Sequence, residues 1–260
     1  MLVTIAILAR NKGHCLPFFL KCIVNQTYPK DQILIYIRTN DNHDQTESIL
    51  QEWVNQYGHL YREVLFDSSS LDPTNYLPHQ WTKERFATLG QIRQESILFA
   101  RKRGTSYFVV DCDNFIHHQT LEKLIRTGLP VVGPFLITDR TLYSNYHHRV
   151  NAKGYFINNP EYHLIYHQTI TGLIEVDVIH CTYFIRSEVL PQVSYLPDGS
   201  NRHEYVIFSD LLRNKNIKQY LDNRAIYGYI TFSNSQEELE QEDWYKNEKS
   251  LKPEFPALNV

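Results

Sequence analysis

The first part of the chain alternates apolar runs with segments whose apolar residues are spaced as on one face of a helix. Continuous apolar runs predict strands over residues 3–8 and 32–38. Apolar side chains three and four positions apart predict helices over residues 16–24 and 47–57. The order strand, helix, strand, helix is typical of a parallel sheet covered by helices.

The longest helix is predicted over residues 83–103, and Gly104 is placed to cap it. Its apolar stripe consists of Phe86, Leu89, Ile92 and Phe99. A strand predicted over residues 107–110 follows and leads directly into Asp111. We therefore expect an α/β fold with a mainly parallel central sheet flanked by helices, in which ligands bind beyond the carboxyl ends of the strands.

The second half of the chain is less regular. Strands are predicted over residues 129–136 and 176–184, a helix over residues 204–214, and a closing pair of strands over residues 217–221 and 225–231. No internal repeat and no low-complexity linker divides these elements. The chain is therefore expected to form one domain rather than an array.

The domain is predicted to cover residues 1–245, with a tail over residues 246–260. A polar loop is predicted over residues 67–79, before the longest helix. Residues 235–250 are acidic and then mixed in charge, so they form either a surface helix or a loose tail.

The composition is that of an ordinary globular protein, with 42% apolar residues and a net charge of −3 from 26 basic and 29 acidic side chains. Duplex nucleic acid is bound mainly by clusters of lysine and arginine, so this balance disfavours a nucleic-acid reader. The four cysteines contain no C-x-x-C pair, which disfavours a disulfide framework and a zinc site.

The N-terminal apolar run lacks the basic region and cleavage site of a signal peptide. No apolar run reaches the length of about 20 residues that a membrane span needs. From the absence of a signal, a retention tail and a span, we expect the chain to stay in the compartment where it is made, and its location is left as cytoplasmic or unknown.

The most informative motif is Asp111-Cys112-Asp113, directly after an apolar strand. Two carboxylates at a strand end offer hard oxygen ligands to Mn²⁺ or Mg²⁺, which can bridge the phosphates of a nucleoside diphosphate. The alternative is that both aspartates cap the next turn and lie in water. Polar residues also follow the first two strands, at residues 9–11 and 40–44, so they are expected at the same sheet edge.

The sequence resembles the N-terminal domain of the procollagen galactosyltransferases, which glycosylate hydroxylysine in collagen. Short segments similar to that family occur in the same order over nearly the whole chain. They are AILARN at 6–11, LQEW at 50–53, WTKER at 81–85, DCDN at 111–114, LPVV at 129–132, YSN at 143–145, HCT at 180–182 and YGY at 227–229. The resemblance implies a GT-A fold whose Asp-x-Asp motif binds a divalent metal and the diphosphate of a UDP-sugar.

Site residues follow from this resemblance position by position. The metal ligands would be Asp111 and Asp113. The residues that contact the donor would be Ala9, Arg10, Asn11, Asp41, Gln91, Arg93 and Asp111. For Gln91 and Arg93 the alternative is an exposed helix face. For Asp41 the alternative is a turn-forming role, since aspartate side chains mimic backbone turns.

Glu204 is the candidate for the base that takes the proton of the acceptor hydroxyl in an inverting transfer. The family shows two adjacent acids here, whereas this chain has His203 and then Glu204. The alternative is that Glu204 only opens the following helix, where a negative charge favours the helix dipole.

His180 matches a histidine of the family and is predicted either to complete the metal shell or to contact the sugar acceptor. A lone histidine on an apolar strand is otherwise a hydrogen-bonded core residue. Tyrosines such as Tyr143, Tyr227 and Tyr229 could line an acceptor cleft by stacking on sugars, or be structural.

The sequence thus predicts a Mn²⁺- or Mg²⁺-dependent glycosyltransferase that moves a hexose, with galactose favoured, from a UDP-sugar to collagen-type hydroxylysine. Glucose transfer onto galactosyl-hydroxylysine or another glycan is one alternative. A catalytically silent module that binds glycans or collagen is another, and a homodimer stays open. A nucleotidyltransferase is disfavoured, because the turn at residues 11–14 has one glycine rather than a glycine-rich phosphate loop.

Overall fold

The computed structural model describes residues 1–71, 74, 80 and 82–247. Three sequence predictions extend beyond the described residues. They are the loop over residues 67–79, of which a part is described, the WTKER segment, which includes Trp81, and the tail, which includes residues 248–260. Within the described part, no helix is both long and apolar enough to cross a membrane.

The described residues form thirteen strands. In chain order they are β1 (Val3–Ala9), β2 (Ile33–Thr39), β3 (Glu63–Asp67), β4 (Ser106–Val110), β5 (Asn114–Ile116), β6 (Val131–Pro134), β7 (Leu136–Ile137), β8 (Tyr146–His147), β9 (Leu173–Val176), β10 (Val178–Ile179), β11 (Thr182–Ile185), β12 (Gln219–Asp222) and β13 (Gly228–Ile230).

The same residues form eight α-helices, besides three short 3₁₀ turns. The helices are α1 (Leu16–Val24), α2 (Thr46–Tyr57), α3 (Lys83–Arg103), α4 (Thr120–Arg126), α5 (Pro160–Tyr166), α6 (Glu204–Asn214), α7 (Gln236–Glu240) and α8 (Asp243–Asn247).

Eight strands form the main sheet in the order β3-β2-β1-β4-β11-β6-β12-β9. The strands β3, β2, β1 and β4 run parallel, as predicted for β1, β2 and β4, whereas β3 was not predicted from the sequence. The strand β11 lies antiparallel between β4 and β6, so the sheet is mixed. The predicted α/β fold with a central sheet flanked by helices is confirmed.

The central strand β1 is buried on both faces because its side chains alternate between two hydrophobic cores. Val3, Ile5 and Ile7 belong to one core, which also contains the apolar faces of α1 and α2. Ala6 belongs to the other core, under α3 and α6. This two-sided burial explains why the N-terminal run is continuously apolar.

Helix α3 has the predicted bounds, and Gly104 ends it in the left-handed conformation with φ of 65°. Its buried face differs from the predicted stripe, because Phe86 and Leu89 are only half-buried. Buried polar residues replace them on that face, including Arg93 and Gln94. A hydrophobic period could not find these residues, since their partners lie elsewhere in the chain.

Two predictions for the second half were wrong. The segment 176–184 is not one strand, because the chain turns at residues 180–181, where Cys181 has a left-handed φ of 63°. The two closing strands do not pair with each other. Instead, β12 lies between β6 and β9 in the main sheet, while β13 pairs with β5 and β7 in a small second sheet.

The acidic segment near the C-terminus is helical over α7 and α8 and is not loose there. Trp244 is 4% exposed, and its ring stacks on Tyr229 with centroids 5.1 Å apart. The same indole contacts the rings of Phe18 and Phe115, so α8 packs against α1 and β5. This contact joins the two ends of the described chain.

Candidate active site at the strand ends

The residues that follow β1, β2 and β4 meet at one edge of the main sheet because these strands are parallel and in register. Asn11 and Asp41 have left-handed backbones, with φ of 52° and 46°. Asparagine and aspartate tolerate this conformation better than other non-glycine residues. The turns after β1 and β2 therefore bend sharply beside each other.

Hydrogen bonds tie these two turns together. The N–H of Asn11 donates to Asn42 Oδ1 at 3.0 Å, and the N–H of His43 donates to Asn11 Oδ1 at 2.8 Å. Asp41 accepts hydrogen bonds from Ser70 Oγ at 2.6 Å and from the Leu71 N–H at 3.0 Å. Asn11 and Asp41, which are predicted to contact the UDP-sugar donor, thus lie in two adjoining turns. We call these turns the rim.

Ala9 and Arg10 lie on the same edge. Ala9 ends β1 and is 4% exposed, so its side chain is buried. Arg10 is half-buried and donates to the carbonyl of Thr74 at 2.6 Å. Ala9 and Arg10, which are also predicted to contact the UDP-sugar donor, therefore lie beside Asn11.

The two aspartates of the Asp-x-Asp motif each pair with a cation of the chain. Arg93 Nη2 lies 2.8 Å and 3.0 Å from the carboxylate oxygens of Asp111. Lys12 Nζ lies 2.8 Å from Asp113 Oδ2. Burial raises the pKa of Asp111 above its ordinary value, while the charge of Arg93 opposes that rise.

Arg93 also links the motif to the candidate base. Its Nε lies 3.4 Å from Glu204 Oε1, and both side chains are almost fully buried. Burial raises the pKa of Glu204, while the charge of Arg93 opposes the rise. The sequence predicted both residues from resemblance, and the structure brings them together with Asp111 around one guanidinium.

Gly90 allows this arrangement. A side chain at this position of α3 would meet the carbonyl oxygen of Tyr195 at 2.7 Å and the Cβ of Glu204 at 3.5 Å. Only a glycine lets α3 approach the backbone of Tyr195 so closely, while the contact with Glu204 at the start of α6 is an ordinary one. A glycine inside a long predicted helix is a sequence signal for such an approach.

The structure does not bring Gln91 to this cluster. Its side chain is exposed and donates to Glu95 Oε1 at 3.0 Å on the surface of α3. Two helical positions differ by about 200° around the axis, so Gln91 and Arg93 point to opposite sides. The alternative of an exposed helix face describes Gln91, whereas Arg93 is 5% exposed.

His180 lies beyond the acidic pair, in an aromatic environment. Its Nδ1 lies 2.8 Å from Cys181 Sγ, and its ring centroid lies 5.1 Å from His147 and 5.2 Å from Tyr205. Among the described residues, no three His, Cys, Asp or Glu side chains are grouped to hold a metal ion. His180 is therefore not joined to the two aspartates as a third ligand here.

The acidic pair still fits a divalent cation that arrives with a diphosphate. Magnesium is commonly held by one or two carboxylates plus substrate phosphates rather than by a complete protein cage. Asp111 and Asp113 supply those carboxylates, with side chains 24% and 31% exposed. Lys12 occupies the position on Asp113 that such a cation would compete for.

Sequence reasoning missed Lys12, His147 and Tyr205. Lys12 directly follows Arg10 and Asn11, which were predicted to contact the UDP-sugar donor. Its position after β1 could therefore have indicated that it belongs to the site. His147 carried no signal, because its neighbours come from strands distant in sequence.

The sheet and the acidic strand end define the class as a GT-A-type nucleotide-sugar transferase fold. The structure of S. aureus TarS 1–349 in complex with UDP-GlcNAc has a TM-score of 0.57 at 15% identity, covering 90% of this chain and 59% of that chain. The structure of S. aureus TarS has a TM-score of 0.57 at 16% identity, covering 90% and 37%. The predicted GT-A fold is thus confirmed.

Residues 1–247 match the model of glycosyltransferase family 25, N-terminal domain. Human procollagen galactosyltransferase 2 is 32% identical over 252 residues, which cover 93% of this chain and 40% of that protein. Human inactive glycosyltransferase 25 family member 3 is 31% identical, with 88% and 40% covered. The chain belongs to glycosyltransferase family 25, as its resemblance to procollagen galactosyltransferases predicted, and spans about 40% of the length of these relatives.

Proposed function

We propose that this chain is a glycosyltransferase domain that moves a hexose, galactose by preference, from a UDP-hexose to a hydroxyl of collagen-type hydroxylysine or of its glycan. The observation that carries the proposal is the Asp111–Arg93–Glu204 chain at the edge where Asn11 and Asp41 form a rim. It joins a diphosphate-binding motif to a buried carboxylate. Family membership and the relatives' names support the donor and acceptor classes.

Each group has a defined task in this proposal. The rim formed by Arg10, Asn11 and Asp41 holds the nucleoside. Asp111 and Asp113 would hold Mn²⁺ or Mg²⁺, which would neutralise charge on the diphosphate. Glu204 accepts the proton of the acceptor hydroxyl as the hydroxyl oxygen bonds to the anomeric carbon and the bond from that carbon to UDP breaks.

The environment of Glu204 suits a base. Burial raises its pKa, which makes its carboxylate a stronger base than an exposed one. Arg93 lies 3.4 Å from the carboxylate, and its charge favours the ionised form. Turnover is therefore expected to fall with acid at a pH above the ordinary glutamate range, and a pH profile of kcat measures this.

The test measures UDP release from UDP-galactose, UDP-glucose and UDP-N-acetylglucosamine, with Mn²⁺ or a chelator, with and without a hydroxylysine peptide. Manganese-dependent turnover that is lost in Asp111→Ala and Asp113→Ala supports the proposal, with the exposed Asp31→Ala as the control. Glu204→Gln is expected to lower kcat by about 10²- to 10⁴-fold, and Glu188→Gln to leave it unchanged. Near-normal kcat in Glu204→Gln would remove it as the base.

A catalytically silent binding module is the second candidate. Two facts favour it: relatives about as similar as the named galactosyltransferases are named inactive, and both aspartates of the motif are already paired with cations. Binding of UDP-galactose without turnover under every condition above would decide for this module.

A further inference from the structure

We propose that a wall of aromatic and histidine side chains beside the acidic pair binds a neutral pyranose ring of the acceptor, so that the acceptor is a sugar already attached rather than free hydroxylysine. The inference rests on the proposed glycosyltransferase function and names its acceptor class. The aromatic wall consists of Tyr143, His147, His180, Tyr205 and Phe232.

The aromatic wall is built by several elements. His147 ends β8, which pairs with β10 so that His147 faces Val178, and His180 follows β10 directly. The ring of Tyr143 lies 5.8 Å from His180 and 5.3 Å from Phe232. Phe232 is 50% exposed and Tyr143 is 38% exposed, so two rings of the wall face solvent.

Three backbone connections place the aromatic wall next to the proposed chemistry. The N–H of Asp111 donates to the carbonyl of Cys181 at 3.0 Å, one residue after His180. The N–H of Thr231 donates to the carbonyl of Asp113 at 2.9 Å, one residue before Phe232. Tyr205 follows the candidate base Glu204 in α6.

Two buried histidine nitrogens in the aromatic wall point to a ligand. His180 is 3% and His147 is 8% exposed, yet His180 Nε2 and His147 Nδ1 have no hydrogen-bond partner in the part of the chain that is described. A buried polar atom without a partner costs about 1–3 kcal/mol, so each such atom needs an explanation. Core atoms such as Trp53 Nε1 and Tyr61 Oη share this property, but the two histidine nitrogens lie together in one aromatic cluster beside the acidic pair. Ligand hydroxyls would satisfy these nitrogens, since a hydroxyl donates and accepts.

The electrostatics select a neutral ligand. Burial lowers the pKa of His147 to about 4, with Arg213 adding to the effect, and burial lowers the pKa of His180 well below its ordinary value, with His147 and Arg93 adding. These shifts favour the neutral form of both imidazoles, and the charges of Arg213 and Arg93 disfavour a cation beside them. Of the described carboxylates at this site, Asp111, Asp113 and Glu204 are each ion-paired, so none of these three is free for the ammonium group of hydroxylysine.

A neutral ligand that carries hydroxyl groups and packs on aromatic rings has the properties of a sugar. Aromatic rings pack on the apolar face of a pyranose, and neutral imidazoles hydrogen-bond its hydroxyls. The nearby base would then meet a hydroxyl of that same ring.

The test titrates methyl β-D-galactopyranoside, and separately 5-hydroxylysine, into the UDP-loaded protein, with binding followed by calorimetry and by the NMR signals of the histidine rings. We expect the pyranoside to bind and to shift the ring signals of His147 and His180, and hydroxylysine to do neither. Phe232→Ala is expected to weaken pyranoside binding roughly three- to tenfold, and His180→Gln roughly fivefold, with UDP affinity unchanged.

Leu98→Ala is the matched control, because Leu98 is an apolar side chain of α3 that is 48% exposed and belongs to no part of the wall. Phe232 is half-exposed, so its replacement keeps the fold, which a melting curve confirms. Absent pyranoside binding, unchanged binding in both variants, or equal binding of hydroxylysine would each overturn the inference. So would weakening of UDP-galactose affinity alone, which would assign the wall to the donor sugar. Failure to bind UDP would instead refute the proposed function.

Discussion

At the scale of single residues, the site is organised by charge pairing. Arg93 holds two carboxylates that come from different elements, and Lys12 holds a third. Buried carboxylates need such partners, because an unpaired charge in the interior is strongly unfavourable. The side chains around Asp111 are therefore fixed before any ligand binds.

Lys12 competes with a divalent cation for Asp113. We expect Lys12→Met to tighten Mn²⁺ binding by roughly two- to tenfold, since the carboxylate loses its internal partner. Calorimetric titration of Mn²⁺ into the nucleotide-free protein measures this, and Lys21→Met on α1 is the control. Unchanged or weaker Mn²⁺ binding in Lys12→Met would show that Asp113 is no metal ligand.

His147 makes stability depend on pH. Its pKa is lowered from 6.5 to about 4, so between these values the unfolded chain binds a proton that the folded chain does not. The free energy of unfolding is therefore full above pH 6.5 and falls as the pH drops toward 4, by an amount on the order of 3 kcal/mol from this group.

Urea unfolding at pH 7 and pH 5 measures this loss. His147→Gln is expected to lose less stability between the two pH values than the original chain. Gln51→Asn, at an exposed position without a titratable group, should leave the pH dependence as it is. An identical pH dependence in His147→Gln would exclude His147 as a source.

At the scale of elements, Gly90 lets α3 pack directly on the backbone of Tyr195, beside the start of α6. Gly90→Ala adds a Cβ 2.7 Å from a backbone oxygen, although alanine favours a helix. We expect a loss of roughly 1–3 kcal/mol in the free energy of unfolding and lower turnover, because Arg93 and Glu204 move apart.

Gly58→Ala is the matched control, since a Cβ there makes ordinary contacts with Val54 and Val64 at 3.4 Å and 3.6 Å. Denaturant melts and UDP release measure both effects. Equal stability of the two variants would show that the approach of α3 to residue 195 is not tight.

At the scale of the whole molecule, the C-terminal helix α8 packs against elements from the start and middle of the chain. Trp244 contacts Phe18, Phe115 and Tyr229, and we expect Trp244→Ala to cost about 3 kcal/mol or more in the free energy of unfolding. Leu196→Ala, at a site 48% exposed, is the control. Thermal unfolding measures both, and equal melting temperatures would mean that α8 does not stabilise the fold.

Six elements of the first half, α1, α2, α3, β1, β2 and β4, follow from the sequence alone because their signals are local, whereas β3 was not predicted. The bounds of α1 and α3 are as predicted, and β1 and β2 match their apolar runs to within a residue. The acidic pair was also visible, since it follows an apolar strand directly. Hydrophobic periodicity depends only on residues within one or two helical turns of each other, so it can be detected without knowledge of the fold.

Tertiary structure decided which of these residues meet. The ion pairs of Lys12 with Asp113 and of Arg93 with Glu204 join residues 101 and 111 positions apart, and the insertion of β11 between β4 and β6 places His180 beside the strand ends. No local pattern encodes such contacts, because they depend on the order of strands in the sheet. The sequence determined which groups are present, and the path of the chain determined their partners.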